Sequence, residues 1–175
     1  MIYRKIGMLT ILGVMILSVQ ALGFDCNNPD FGANLNDLNK DGLFVKYMEK
    51  GNIHYYNYTG PCKTYSHSHS NPAIAYAFVD NQLYAMIITV SDENTFPPSD
   101  EKNEQRLSKK YGSDMKRKQE GNLLIYQFYD KEKKTKYKMK MDAVRYVGKT
   151  AWYYEPLREK LKRLDQTADP IDDLE

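Results

Sequence analysis

The sequence predicts an α+β protein: an antiparallel β-sheet of about six to eight strands built from hairpins, one internal helix (about 99–111) and one C-terminal helix (about 156–164). Three observations lead there. Runs rich in β-branched and aromatic residues recur at short intervals, separated by Gly, Asn and Asp turn signals. The stretch AIAYAFVDNQLYAMIITVSD, Ala73 to Asp92, reads as two strands around Asp80-Asn81-Gln82. Its second strand is apolar on both faces at Ala85-Met86-Ile87-Ile88, which suits the middle of a covered sheet. Finally, only two longer segments carry helix punctuation. Ser99 is a natural N-cap followed by Asp100 and Glu101, with Lys109-Lys110 near the stop at Gly112; Pro156 opens the second, where Leu157, Leu161 and Leu164 share a face.

The remaining strands follow from local pattern. Asn34 to Leu38 has the makings of one helical turn, ended at Asp41-Gly42. Leu43 to Glu49 and Ile53 to Tyr58 form a hairpin across Lys50-Gly51-Asn52. Lys63 to Pro72 is a polar, serine-rich loop. Met115 to Glu120, Leu123 to Asp130 and Thr135 to Met141 are three further strands, and Ala143 to Val147 and Ala151 to Tyr154 add one or two short ones about a Gly148-Lys149 turn. Residues 24–164 make a single domain, and Asp165 to Glu175 reads as a flexible acidic tail.

Residues 1–23 have the three parts of an export signal. Arg4 and Lys5 supply the positive start, Ile6 to Val19 an apolar run, and Ala21 or Gly23 the small residue before cleavage. Gln20 and the small residues after it favour cleavage over an uncleaved anchor. The expected compartment is therefore the periplasm or the exterior. Cys26 and Cys62 are the only cysteines, and an even count in an exported chain predicts a disulfide. Closing that loop stabilises by about 3–4 kcal/mol in the chain-entropy picture.

The whole chain has 25 basic and 23 acidic residues; losing Arg4 and Lys5 leaves 23 of each. A neutral exported protein has no global attraction to nucleic acid, and after cleavage no membrane span remains. The chain also lacks a G-x-S-x-G elbow, an H-E-x-x-H pair, a phosphate-binding glycine loop and a dinucleotide fingerprint. No catalytic residue is assigned, and with both thiols paired none is free for nucleophilic work.

Three features carry chemistry. His67 and His69, in Ser66-His67-Ser68-His69-Ser70, would point the same way about 7 Å apart in an extended segment, a spacing that suits one zinc or copper ion. His54 with a carboxylate or Tyr65 would complete the shell. The competing reading is a polar loop with no cofactor. Lys134, Lys136, Lys138 and Lys140 alternate with Thr135, Tyr137, Met139 and Met141, giving one strand a basic face; this suits either an acidic ligand or the protection of a sheet edge. Fifteen tyrosines, clustered at Tyr55-Tyr56-Tyr58 and Trp152-Tyr153-Tyr154, suit protein or glycan recognition or the half-buried surface of strands.

These observations favour a small non-catalytic binding protein, of the inhibitor or immunity type or an envelope accessory protein. Its expected partner is another envelope or extracellular protein, or an acidic polymer. The candidate binding face is Lys134, Lys136, Lys138 and Lys140 with Tyr55, Tyr56 and Tyr58. The alternatives are a divalent-metal protein using His67 and His69, and an enzyme whose site is dispersed along the chain.

Overall fold

The turn at the centre of the chain sets the register of the sheet. Asp80 and Asn81 both take left-handed backbone, with φ of 49° and 60°. That is the geometry of a two-residue type I′ turn, and it joins β3 (Ala73–Val79) to β4 (Gln82–Ser91). The computed structural model describes residues 24–26, 28–61, 73–91, 105, 107–110, 115–142, 144, 145, 147–164 and 171. Before the central hairpin come α1 (Leu35–Leu38), β1 (Phe44–Lys50) and β2 (Ile53–Tyr58). After it come helical residues at 105 and 107–110, then β5 (Lys116–Glu120), β6 (Leu123–Asp130), β7 (Thr135–Asp142), β8 (Val147–Tyr154) and α2 (Glu155–Arg163).

The eight described strands form one antiparallel sheet in the order β1-β2-β3-β4-β8-β7-β6-β5. The expected α+β architecture is thus the observed one. The order is that of two four-stranded meanders joined through their last strands, β4 and β8. Each meander follows a helical segment in the chain, and both segments pack on the same face, here called the front. Leu35 and Leu38 lie there against Phe44, Tyr76, Phe78 and Leu83. Leu107 packs on Leu124, Tyr126, Tyr137 and Met139, and Trp152 touches both groups.

The back face is covered differently in its two halves. Leu157 and Leu161 of α2, together with Ile171, pack on Ile53, Tyr55, Ala75, Ala77, Ala85, Ala151 and Tyr153. Four alanines in that floor, all at most 6% exposed, let the helix approach the strands closely. Burying each leucine contributes about 1.5–3 kcal/mol. β7 holds the same place in the second meander that β3 holds in the first. Where β3 presents Ala75 and Ala77 to the back, β7 presents Lys136, Lys138 and Lys140. The cluster that Leu157 and Leu161 join contains residues of β2, β3, β4 and β8 and none of β5–β7.

The structure alters three sequence expectations. Gly148 and Lys149 are not a turn; they lie inside β8, paired with Met141 and Lys140. Val144 and Arg145 are turn residues instead, held by Asp142 Oδ1, which accepts from their amides at 2.9 and 3.0 Å. β7 is not a sheet edge: it lies between β6 and β8, so its lysines cannot serve as edge protection. Ile171, within the stretch read as a flexible tail, is 1% exposed and belongs to the back-face core. No helix among the described residues is long and apolar enough to cross a membrane.

Candidate binding face

Cross-strand register collects the basic residues on the back of the second meander. Paired residues of an antiparallel ladder project to the same side, so each row can be read across the strands. One row runs Lys118–Ile125–Lys140–Lys149 across β5, β6, β7 and β8. The next runs Lys116–Gln127–Lys138–Ala151, and a third pairs Tyr129 with Lys136. Neighbouring strands are about 4.8 Å apart and successive rows about 6.8 Å apart. Six ammonium groups therefore occupy a patch four strands wide, with Glu120 and Asp142 along one end.

The patch is electrostatically unusual in two ways. Lys140 and Lys149 stand directly opposite each other on neighbouring strands, an arrangement that destabilises the sheet by itself. Lys138, in the middle, is only 9% exposed. The acids at the end feel the field. The Lys118 ammonium hydrogen-bonds Glu120 and, with the more distant charges of Lys140 and Lys138, holds its carboxyl below the ordinary carboxylate value. Asp142 is lowered chiefly by the amide donors of Arg145 and Val144, and less by the Arg145 charge.

Beside these rows, where α2 ends its cover, lies a cavity of about 440 Å³. Its sheet wall carries Lys116, Gln127, Tyr129 and Lys136; its helix wall carries Glu155, Arg158 and Glu159. Arg158 is held in place from two directions. Its Nη1 donates to Glu155 Oε1 at 3.1 Å, and its guanidinium carbon stands 5.8 Å from the centre of the Tyr153 ring. Among the described residues its buried Nε–H has no hydrogen-bond partner. Tyr129 is 44% exposed and lines the same space.

The candidate residues named from sequence are only partly brought together. Lys136, Lys138 and Lys140 share the patch. Lys134 does not; it occupies the β6–β7 turn with φ of 52°, and its carbonyl accepts from the Glu155 amide at 3.0 Å. Tyr55 is fully buried under α2 and cannot meet a partner. Tyr56 and Tyr58 sit on the front face of the first meander, where Tyr56 packs on Phe78, and Tyr58 on Phe24 and Phe44. Tyrosines 55, 56 and 58 therefore form no surface with the lysines. His67 and His69 lie outside the described residues, as does Cys62. Cys26 is 3% exposed and bonded rather than free. His54 approaches Glu49 at 3.7 Å, and among the described residues no group of three or more metal-ligating side chains forms.

Sequence reasoning missed Lys116, Lys118, Lys149, Tyr129 and Arg158. The signal for the first two was present in Lys116-Arg117-Lys118, but joining it to β7 needs the register across β6. Lys149 was misread through the turn assigned at Gly148. No protein-family model matches the chain, and no curated protein or solved structure matches it.

Proposed function

We propose that this chain is an exported, non-catalytic binding protein that works through the lysine-bearing back face of β5–β8, and that its partner is an acidic macromolecule outside the cytoplasm. One observation carries the reading: six lysines are gathered on a half-face that no described helix covers, while the matching half-face is alanine under α2. A surface kept only for solubility has no need of Lys140 opposite Lys149, or of a nearly buried Lys138 between them. Export follows from the leader at residues 1–23, and a Cys26–Cys62 bridge would tie the start of the mature chain to the segment before β3. The cavity beside α2 is lined by two carboxylates, Glu155 and Glu159, but Glu155 is engaged by Arg158. Its lining includes no imidazole or thiol.

The test is retention of the mature chain on immobilised poly-L-glutamate and on an acidic polysaccharide, with neutral dextran as control. Wild type binds both acidic matrices and elutes with salt, as screening requires. Lys116→Gln/Lys118→Gln/Lys136→Gln elutes at markedly lower salt. Equal elution of wild type and variant, or no retention of either, counts against the reading.

A further inference from the structure

The cavity between α2 and the lysine rows asks for something more specific than negative charge. We infer that it is a subsite for one unit of a linear acidic polysaccharide, a sugar carrying a carboxylate, whose neighbouring units run along the lysine rows. The inference rests on the binding reading above and narrows it to a ligand class.

The lining separates sugars from other polyanions. Lys116 and Lys136 from the sheet and Arg158 from α2 line the same space and supply cations for a carboxylate. Glu159 lines the same space and would repel a bare chain of phosphates or carboxylates; a hydroxyl-bearing ring instead donates to it. Gln127 offers both a donor and an acceptor to ring hydroxyls. Tyr129, 44% exposed and part of the lining, supplies an aromatic ring that the apolar side of a sugar can stack on. The volume, about 440 Å³, falls in the range of about 300–1,000 Å³ usual for small-molecule sites.

Preorganisation points the same way. Arg158 is already fixed by Glu155 and stacked toward Tyr153, so ligand binding need not order it. Outside the cavity the lysine rows repeat about every 6.8 Å along the strands, and a polymer with a carboxylate on each unit meets them repeatedly.

The experiment is calorimetric titration of the full mature protein with linear oligogalacturonate, poly-L-glutamate of matched charge, long-chain polyphosphate, and a neutral oligosaccharide of the same length. The expected result is at least tenfold tighter binding of oligogalacturonate than of the other two polyanions, and none of the neutral sugar. Tyr129→Ala and Arg158→Lys are each expected to weaken oligogalacturonate at least fivefold more than they weaken poly-L-glutamate. Thermal melts check that both variants fold. Equal affinity for all three polyanions, with Tyr129→Ala affecting them alike, overturns the sugar subsite while leaving polyanion binding standing. Absence of binding to every polyanion overturns both. Cleavage of the oligogalacturonate during the titration would also overturn the subsite as a binding-only device.

Discussion

Replacing Lys149 with glutamate should make the free protein more stable and its acidic ligand weaker. Lys149 faces Lys140 across the β7–β8 ladder, so the change turns a repelling cross-strand pair into an attracting one. Cross-strand charge pairs contribute about 0.2–1 kcal/mol, with the opposite sign for like charges. Glu120 already offsets part of the Lys140 charge, so the swing is best placed at about 0.5–1 kcal/mol. For a domain of this size that is a rise in Tm of about 1–4 °C. Lys149→Gln, which removes the repulsion without adding attraction, should fall between wild type and Lys149→Glu. The assay is thermal or urea unfolding at low salt and again in 1 M salt, where the screening length drops to about 3 Å and the gain should largely vanish. The same variant should bind oligogalacturonate severalfold more weakly. A Lys149→Glu protein no more stable than Lys149→Gln at low salt, or a gain untouched by 1 M salt, would refute the claim that these lysines are held against their own repulsion.

Three further outcomes follow from the fold. Ile171→Ala should cost about 2–5 kcal/mol in urea denaturation, because a 1% exposed side chain leaves a void in the core; a freely moving tail would show no change. Reducing the mature chain, or replacing Cys62 with serine, should lower stability by about 3–4 kcal/mol, and an unchanged midpoint would exclude a bridge to Cys26. Asp142→Asn tests the β7–β8 turn through pH. The Asp142 carboxyl is lowered in the folded state, so its contribution is complete above its ordinary value of 3.8 and disappears as pH falls through the lower folded value. The stability difference between wild type and variant should therefore be constant near neutrality and shrink in that acid range; a constant difference throughout contradicts the assignment.

Much of the sheet was legible because local chemistry decides it. Asp80-Asn81 supports only a tight turn between two apolar runs, and the strict alternation of β7 fixes which side its lysines take. Apolarity on both sides of β4 correctly marked it as interior. Legibility failed where the answer lies in pairing between distant strands. Nothing within Thr135–Asp142 itself reveals that β8, running unbroken through Gly148 and Lys149, pairs along the whole of β7 and so makes it interior. The tyrosines share one composition but not one environment: Tyr55 is under α2, Tyr56 and Tyr58 are on the opposite face, and Tyr129 borders the cavity. Gly148 looked like a turn because glycine is locally permissive, yet the Asp142 side chain already holds a turn at Val144 and Arg145. Arg158 was unreadable because its role depends on where α2 crosses the sheet.

The most direct measurement is an amide NMR titration of the isotope-labelled mature protein with oligogalacturonate. Saturable shifts confined to β5–β8 and the first turns of α2, with β1–β3 unmoved, are the predicted result. Shifts centred on Tyr56 and Tyr58, or no saturable shift at all, would contradict it.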